Sequence, residues 1–477
     1  MSFEFTADRL ASLAGISSFE LIYLSMAPPK KILVVGGGLA GMAAAVALES
    51  AGLPVTLLEA RRSLGGRAGS FDNPTTGEQL DNCQHVLLGC CTNLIEFYDR
   101  LGVSQRIRWE SEIHFLDGQG VSHSLSATAG LPAPLHLWTS FLRFRLLGWS
   151  ERVAAGRAMM AMMALGRQGR AALADISFGQ WLDDHDQPPS LMSKLYDPVL
   201  VGSLNEQCRF ASAAYAIQVF QDALLTNRRG FPLGLPACPL QQLYERLPCR
   251  DVRFGARVTD LQWSGGRLTG ARLMNGDSVS ADAVVLATNH HAVQRWLPEG
   301  VFPGLKQLES VPILGAHLWF DRPILRMTHA ALIEGPLQWL FRKDTDGHVI
   351  HGVISAAREW VDIPKEQALD AFSMQIRSLF PAARDAILER GVVVVEKRAT
   401  FSPLPGVDRL RPTQKTPVEN LFLAGDYTQT GWPATMEGAV RSGYLAANAV
   451  CQQFGMGAGT FLKPDLRAQW PARLLNV

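Results

Sequence analysis

The chain is predicted to be an α/β protein in which a domain built on a parallel sheet is interleaved with a second, mixed α+β domain. Three observations predict this architecture. Residues 31–58 have the pattern of a strand, a glycine-rich loop, an alanine-rich helix and a second strand. Apolar runs typical of buried parallel strands recur near residues 283 and 420. The stretches 91–237 and 300–395 are mostly helical and mixed, respectively, so each domain is expected to be assembled from separated segments.

The composition favours a large folded protein and excludes some functions. Lys and Arg (45) nearly balance Asp and Glu (44) over 477 residues, which leaves a net charge of +1. This balance excludes the basic footprint of a nucleic-acid-binding protein. Charged residues make up 19% of the chain, against about 25% in an average protein. The apolar surplus therefore belongs either to a large core or to a surface that meets lipid.

The cysteines and the first residues of the chain bear on its location. The seven cysteines form no CxxC pair and no Cys/His cluster with zinc spacing, so we expect reduced thiols, a cytoplasmic protein and no metal site. No apolar run of about 18 residues predicts a transmembrane helix. Residues 1–26 carry acidic groups unsuited to a secretory signal and are predicted to form a disordered extension.

The first strand–helix–strand unit carries the motif Gly36-x-Gly38-x-x-Gly41. The first glycine permits a tight turn, the second lets a pyrophosphate approach the backbone, and the third lets helix and strand pack closely. The N–H groups at the helix start are free to bind phosphate. Glu59 lies 18 residues after Gly41, at the end of the second strand, where a carboxylate accepts hydrogen bonds from ribose hydroxyls. The combination predicts a Rossmann-like dinucleotide-binding domain.

Two further elements favour FAD over NAD as the dinucleotide. Gly65-Gly66-Arg67 follows the second strand and is expected to form a second cradle, with Arg67 approaching the pyrophosphate. Gly425-Asp426 follows a late strand, where the carboxylate can bind the flavin's ribityl hydroxyls, and a helix that begins near Thr435 can stabilise the reduced flavin. The predicted cofactor-binding residues are Gly36, Gly38, Leu39, Ala40, Gly41, Glu59, Ala60, Arg61, Gly65, Gly66, Arg67, Val258, Gly425, Asp426, Trp432, Thr435 and Met436.

The remaining elements set the domain boundaries. Residues 251–263 and 267–274 have strand patterns, Asn275-Gly276 is a hairpin turn, and residues 278–287 form another strand pattern. A helix is predicted over 434–453. We assign segments 27–90, 238–299 and 396–455 to the dinucleotide-binding domain, and segments 91–237 and 300–395 to a substrate-binding domain.

Together these residues resemble the flavin amine oxidase and phytoene desaturase superfamily, which implies a Rossmann-like FAD-binding domain of the amine oxidase or glutathione reductase type. Softer motifs resemble the squalene-associated flavoproteins, the hydroxysqualene dehydroxylases. These motifs are residues 77–89, Leu131-Pro-Ala-Pro134, Trp181-Leu182, Pro198-Val-Leu200 and residues 430–438. The family's Asp-Asn-Gly-Gln-His is Asp81-Asn82-Cys83-Gln84-His85 here. Cys83 stands where the family has a glycine, so the motif does not support a flexible turn at this point.

The resemblance implies reductive removal of the hydroxyl of hydroxysqualene, which gives squalene for hopanoid or sterol synthesis. Hydride would pass from reduced flavin N5 to an allylic carbocation, and an acid must assist loss of the hydroxyl. The candidate catalytic residues are His85, Asp81 and Glu206. The motifs do not fix the direction of hydride transfer or name the electron donor, so a separate reductase remains a possible partner.

Other functions fit parts of the same pattern. A carotenoid or phytoene-type desaturase or isomerase would run hydride transfer from substrate to FAD. An amine oxidase fits less well because the long, basic and apolar insert suits a lipid better than a small amine. A non-catalytic prenyl-lipid-binding protein of the GDP-dissociation-inhibitor type shares the fold, although it has no need of Glu59, Arg67 and Asp426.

Residues 131–170 predict a membrane-contacting segment. They hold six arginines against one acid, Glu151, interleaved with tryptophan, phenylalanine and methionine. A basic amphipathic helix with aromatic residues suits the surface of an anionic membrane, although packing within the substrate domain explains the same pattern. The sequence thus predicts a cytoplasmic protein that lies peripherally on the inner face of a membrane.

Overall fold

The computed structural model describes residues 30–457 and 459–475 of the chain. The extension predicted for residues 1–26 lies outside the described residues. Within the described ranges, no helix combines the length and the apolar character needed to cross a membrane.

The described residues form twenty strands and eleven α-helices. The strands are β1 (Ile32–Val35), β2 (Val55–Leu58), β3 (Ser70–Asp72), β4 (Gln79–Asp81), β5 (Leu87–Leu88), β6 (Ile107–Glu110), β7 (Glu112–Leu116), β8 (Ser122–Ser126), β9 (Leu233–Pro236), β10 (Asp251–Arg253), β11 (Val258–Ser264), β12 (Arg267–Leu273), β13 (Ser278–Ser280), β14 (Ala283–Leu286), β15 (Ser310–Phe320), β16 (His329–Leu332), β17 (Trp339–Arg342), β18 (Val349–Ile354), β19 (Leu388–Phe401) and β20 (Leu421–Leu423). The α-helices are α1 (Leu39–Ser50), α2 (Thr92–Arg100), α3 (Trp138–Arg143), α4 (Trp149–Gly169), α5 (Phe178–Asp184), α6 (Asp197–Leu204), α7 (Ala213–Val219), α8 (His290–Trp296), α9 (Lys365–Leu379), α10 (Met436–Gln453) and α11 (Trp470–Leu475). Two π-helical turns, Met192–Tyr196 and Phe220–Leu225, precede α6 and follow α7.

The first domain is built on a five-stranded parallel sheet in the order β10-β2-β1-β14-β20. In its centre Val34 pairs with Leu57 on one side and Val285 on the other. The residues of β1 and β14 are all buried, as expected where helices cover both faces of a parallel sheet. Helices α1 and α10 pack closely, because a Cβ at Gly443 would lie 2.2 Å from the carbonyl oxygen of Ala40.

The second domain centres on a seven-stranded sheet in the order β19-β15-β18-β17-β16-β7-β8. Its strands are antiparallel except for the pair β16 and β7. Phe372 and Ile376 of α9 are fully buried against one side of this sheet in a cluster with Leu314 and Leu318. Helices α4 to α7 contribute to the largest apolar cluster, which joins the two domains.

Two predicted strands are each divided in the structure. Residues 251–263 do not form one strand: Asp251–Arg253 pairs in parallel with β2, and a turn at Gly255, whose φ is +64°, separates it from β11. Residues 278–287 split similarly, because Ser278–Ser280 pairs with β12 while Ala283–Leu286 enters the parallel sheet. Hydrophobic periodicity does not reveal either break, because the apolar pattern continues from one short strand into the next.

The domain boundary at residue 396 falls inside a strand. β19 runs without interruption to Phe401, and its residues Val395 and Thr400 pair with Leu314 and Val311 of β15. The chain therefore returns to the parallel sheet only after residue 401. The five strands of that sheet otherwise come from the three segments assigned to the dinucleotide-binding domain.

Candidate active site

The two domains enclose a cavity of about 1160 Å³, larger than the roughly 300–1,000 Å³ usual for small-molecule sites. Its wall has two parts, which we name the cofactor arm and the apolar arm. The cofactor arm is lined by the carboxyl ends of parallel strands and the loops that follow them, the usual ligand position in such a sheet. The apolar arm is lined by the second domain, including Leu125, Phe141, Met159, Met163, Leu195, Val199, Leu224, Leu225, Trp339, Phe341 and Val353.

Three glycines shape the first turn of the cofactor arm. Gly36 has a φ of +111°, and a Cβ there would lie 2.6 Å from the carbonyl oxygen of Ala287. A Cβ at Gly38 would meet no atom within 4 Å and would occupy the cavity itself. A Cβ at Gly41 would lie 1.8 Å from the carbonyl oxygen of Gly36. Gly41 alone among the predicted cofactor-binding residues does not line the cavity, because it permits the contact between helix and turn.

The start of α1 faces the same space. Gly38 is its N-cap residue and offers no side chain to bond the free N–H groups of the first turn. Leu39 and Ala40, the first two residues of the helix, line the cavity. The arrangement suits an anionic group, since the N–H groups and the positive end of the helix dipole lie at one place.

Glu59 lies on the wall at the end of β2 and fixes the loops around it. Its Oε2 accepts a hydrogen bond from the Gly37 N–H at 2.7 Å, and its Oε1 accepts one from the Arg61 N–H at 2.7 Å. Each oxygen keeps a lone pair for a ligand hydroxyl. Ala60 and Arg61 follow it on the wall, and Val258 of β11 lies on the wall as well.

Arg67 joins three segments of the chain. The predicted second cradle abuts the first, because the Gly65 N–H donates to the Gly37 carbonyl at 2.9 Å. The guanidinium of Arg67 donates to Asp426 Oδ1 at 2.6 Å and to the Ala399 carbonyl at 2.6 Å. Each terminal nitrogen keeps a second N–H, and Arg67 lines the cavity, so its approach to a pyrophosphate stays a prediction. Gly66 and Asp426 also line the cavity.

The loop from Gly425 to Trp432 is held by Arg411, which the sequence analysis missed. Arg411 is buried, with 2% of its surface exposed. Its guanidinium donates to the carbonyls of Asp426 (3.1 Å), Thr428 and Trp432 (2.8 Å). Burial of an arginine is detectable only in three dimensions, because nothing in the surrounding sequence distinguishes it from the exposed Arg409.

The last part of the cofactor arm leads into α10. Thr435 caps this helix, since its Oγ1 accepts a hydrogen bond from the Gly438 N–H at 3.1 Å. Trp432, Thr435 and Met436 line the cavity. The indole Nε1 of Trp432 and the Oγ1 of Thr288, another wall residue, are buried and have no partner among the described residues. Buried polar atoms without partners on a cavity wall fit a polar cofactor that supplies them.

Of the three candidate catalytic residues, His85 lines the cavity. Its Nδ1 lies 2.9 Å from the Cys83 carbonyl oxygen. A carbonyl only accepts, so Nδ1 carries the proton and Nε2 of the neutral ring is an acceptor. Burial lowers the pKa of His85, which favours this neutral form. The structure therefore gives His85 an accepting nitrogen rather than the acidic proton that we expected.

Asp81 does not line the cavity and is held in a structural network. Its Oδ1 accepts hydrogen bonds from Ser70 Oγ at 2.8 Å and from the Leu240 N–H at 2.9 Å. Its Oδ2 lies 3.2 Å from Lys343 Nζ. Both oxygens of this carboxylate are therefore engaged with protein outside the cavity, which does not support the acidic role predicted for Asp81.

Glu206 is also absent from the cavity wall. Arg358 donates to both of its carboxylate oxygens, at 2.9 and 2.5 Å, and Ser402 Oγ donates at 2.5 Å. Although burial acts in the opposite direction, these hydrogen bonds hold the pKa of Glu206 below its usual value. An ionised carboxylate cannot donate a proton, so Glu206 ties the second domain together instead of acting as the acid.

The comparisons with known proteins agree with this geometry. The model of the flavin-containing amine oxidoreductase family matches residues 39–451. The chain belongs to this family. It is accordingly a FAD-dependent oxidoreductase, a result that gives no support to a non-catalytic prenyl-lipid-binding protein. Reduced or oxidised FAD supplies hydride chemistry when it is bound.

Curated relatives of this flavoprotein include carotenoid desaturases. It is 27% identical to the 15-cis-phytoene desaturase of Capsicum annuum over 90% of this chain and 79% of the relative. It is 25% identical to the 15-cis-phytoene desaturase of Synechococcus elongatus over 88% of this chain and 95% of the relative. The zeta-carotene desaturase of Arabidopsis thaliana is 25% identical over 89% of this chain and 86% of the relative.

Solved structures show the same mixed α/β fold. Putrescine oxidase bound to putrescine superposes with a TM-score of 0.67 at 18% identity, covering 89% of this chain and 99% of the other. Cyclohexylamine oxidase from Brevibacterium oxydans gives a TM-score of 0.62 at 19% identity, covering 90% and 100%. At these identities the likeness concerns the fold of the flavoprotein and not its substrate.

The helical segment 131–170 supplies part of the apolar arm. Leu137, Trp138, Phe141, Met159 and Met160 lie on the cavity wall. Outward, Trp138 and Trp149 are 58% and 68% exposed. Two of the six arginines expected on this surface are instead engaged with protein, because Arg167 and Arg170 both pair with Asp222. The surface charge of the flavoprotein in this segment is therefore smaller than its sequence indicates.

Proposed function

We propose that this flavoprotein removes the hydroxyl group of hydroxysqualene reductively and releases squalene, a precursor for hopanoid or sterol synthesis. The observation that carries a long isoprenoid substrate is the apolar arm, whose leucine, methionine and aromatic side chains adjoin the cofactor arm in one cavity. The motifs at residues 77–89 and 430–438 support hydroxysqualene in particular. A separate electron donor that reduces the FAD completes the cycle.

In this proposal the chain binds the cofactor with the loops after the parallel strands. The start of α1 holds the pyrophosphate, Glu59 accepts from a ribose hydroxyl, and Asp426 accepts from a ribityl hydroxyl through Oδ2, the oxygen that Arg67 leaves free. Trp432 and the start of α10 lie beside the flavin ring, where the positive end of the helix favours the anionic reduced state.

The apolar arm has two tasks in the reaction. It would hold the isoprenoid chain so that the allylic carbon faces the cofactor, and it would keep bulk water from the cation. The hydroxyl would leave as water after taking a proton that comes from solvent, and the reduced cofactor would supply the hydride that the cation takes up. His85 is a positioning residue: its Nε2 would accept a hydrogen bond from a water that donates its other proton to the oxygen of the substrate hydroxyl.

The test is a single turnover with photoreduced holoenzyme and hydroxysqualene, with squalene followed by gas chromatography. We expect squalene in an amount equal to the enzyme-bound FAD. Absence of squalene from fully reduced holoenzyme would reject dehydroxylation. His85→Phe, which keeps the ring volume but removes the acceptor, is expected to slow the reaction while FAD binding is unchanged.

A second candidate is supported by the curated relatives, three of which are named as carotenoid desaturases. In a desaturase the same cavity would hold a C40 hydrocarbon and hydride would pass from substrate to FAD. Oxidised holoenzyme incubated with phytoene distinguishes the two candidates. Bleaching of the flavin with formation of a desaturated product would favour the desaturase.

We also propose that segment 131–170 lies on the cytoplasmic face of an anionic membrane, so that the substrate enters the apolar arm from lipid. Trp138 lies on the cavity wall and is also largely exposed, and Arg143 and Arg145 beside it are exposed. Aromatic and basic residues together suit the lipid interface. In flotation with anionic vesicles, Trp138→Ala combined with Trp149→Ala is expected to lower binding at least about tenfold. Trp263→Ala, at an exposed tryptophan of β11, is the matched control, and equal loss in both variants would contradict the proposal.

A further inference from the structure

The apolar arm contains two buried polar residues on one helical segment, Gln218 and Asp222, which we name the station. Gln218 is in α7 and Asp222 is in the π-helical turn that follows, and both line the cavity among the apolar wall residues Val219, Ala223 and Leu224. The two polar residues are four positions apart, which places them on one side of the segment. They are 7% and 4% exposed. Polar groups are costly on an apolar wall unless something binds them.

Asp222 is held in place as an anion with one open position. Its Oδ1 accepts hydrogen bonds from Arg167 Nε at 3.0 Å and from Arg170 Nη2 at 2.8 Å. Arg167 Nη2 lies 2.9 Å from the same oxygen and donates to the Leu466 carbonyl. Its Oδ2 accepts one, from Arg170 Nη1 at 3.1 Å, within the part of the chain that the structure describes. Because each carboxylate oxygen has two lone pairs, Oδ2 retains the capacity for a further donor.

Gln218 offers a second acceptor in a fixed orientation. Its Nε2 donates to the Gly431 carbonyl at 3.0 Å, beside Trp432 on the cofactor arm. The amide is thereby oriented, and its Oε1 accepts no hydrogen bond from the described residues. The station therefore begins next to the loop that we assign to the flavin ring and presents acceptors rather than donors.

The charges around the station decide which donor it suits. Two guanidinium groups surround one carboxylate, so the cluster carries a net positive charge and disfavours an ammonium group. A hydrocarbon offers no donor at all. An alcohol supplies one O–H donor and no charge, so it can donate to Asp222 Oδ2 or to Gln218 Oε1 on a wall that is otherwise apolar.

We propose that Asp222 and Gln218 form a hydroxyl-binding subsite, which selects an isoprenoid alcohol over the hydrocarbon of the same chain. This inference rests on the proposed function, because it names the group by which the substrate is recognised. Arg167 and Arg170 are positioning residues that orient the Asp222 carboxylate. Sites built to hydrogen-bond a hydroxyl reject analogues that lack it, since their buried polar groups are then left unpaired.

The test measures binding without turnover. Holoenzyme with oxidised FAD is titrated in detergent micelles with hydroxysqualene and, separately, with squalene, and each Kd is taken from the change in flavin absorbance. We expect the wild type to bind the alcohol at least about tenfold more tightly than the hydrocarbon. In Asp222→Asn and Gln218→Leu this ratio is expected to fall at least threefold. Gln180→Leu, at an exposed glutamine of α5 that does not line the cavity, is the matched control and should keep the wild-type ratio.

The outcomes separate the subsite from the reaction. A wild type with no preference for the alcohol, or a ratio unchanged in both variants, overturns the subsite. If Asp222→Asn does not retain FAD because two arginines lose their partner, the ratio in Gln218→Leu decides. Alcohol preference in a protein that yields no squalene when reduced leaves the subsite standing and rejects the dehydroxylation, whereas squalene formation without preference does the reverse.

Discussion

Arg411 offers a direct test of how the FAD site is built, through the variant Arg411→Met. Methionine has a similar length and no donor, so the carbonyls of Asp426 and Thr428 lose their partner, whereas the Trp432 carbonyl keeps the hydrogen bond from Thr430 Oγ1. A buried acceptor without a partner costs about 1–3 kcal/mol. Two such groups, each at the lower end of this range, give a loss of about 2–3 kcal/mol. Asp408, the acidic partner of Arg411, is half-exposed and is solvated instead, so it adds little.

The cost acts on the loop that forms one wall of the cofactor arm. If re-forming this loop takes up 1.4 kcal/mol of the total, FAD affinity falls tenfold. We therefore expect Arg411→Met to weaken FAD binding at least tenfold, measured by titrating apoprotein with FAD and following the quenching of flavin fluorescence. Thermal unfolding of the same preparations reports the stability loss independently.

The matched control is two residues away. Arg409 is 71% exposed and pairs at 2.6 Å with Asp175, which is 60% exposed. Such a surface pair contributes about 0–1 kcal/mol, so Arg409→Met should leave the FAD Kd and the unfolding temperature nearly unchanged. The reasoning is refuted if Arg411→Met binds FAD within twofold of wild type, or if the two variants behave alike.

Two further outcomes follow from the structure. Gly41→Ala should abolish FAD retention, because its Cβ would lie 1.8 Å from the Gly36 carbonyl oxygen. Gly156→Ala in α4, where a Cβ meets nothing within 4 Å, should retain FAD and be as stable as wild type. Equal flavin content in both purified variants would contradict this prediction. Stability should also fall as the pH drops from 6.5 toward 4, because the unfolded chain then binds protons that buried histidines in the folded chain do not, at a cost on the order of 2 kcal/mol per group at pH 5. An unfolding temperature that stays constant between pH 7.5 and pH 5 would show this interpretation to be wrong. The histidines concerned, in each of which burial lowers the pKa to about 4, are His136, His290 and His329.

The sequence indicates which residues line the cofactor arm because the signals for them are local. Gly36, Gly38 and Glu59 belong to one continuous segment, and the spacing alone carries the geometry. The fold class followed from the same unit and from the apolar runs at β14 and β20. Such local signals do not depend on how the distant segments pack.

The residues that depend on contacts between distant segments could not be predicted. The sequence offers Asp81 and Glu206 as candidate acids because they are carboxylates. Their partners Lys343 and Arg358 lie more than 150 positions away along the chain, so the sequence does not show that these carboxylates are engaged. No motif in the sequence singles out Asp222. Only the packing of α4 against the π-helical turn shows that two arginines hold it.

The order of the strands in the parallel sheet has a consequence for synthesis of the protein. Its central strand, β1, leaves the ribosome early, but β14 must pair with it from residue 283 and β20 completes the edge only at residue 421. Closing such long loops is slow. The hydrogen bonds of Arg67 likewise form only after Ala399 and Asp426 have been synthesised. The flavin site is therefore assembled after nearly the whole chain has emerged, so a ribosome-bound or truncated chain that ends before residue 421 lacks the means to hold FAD.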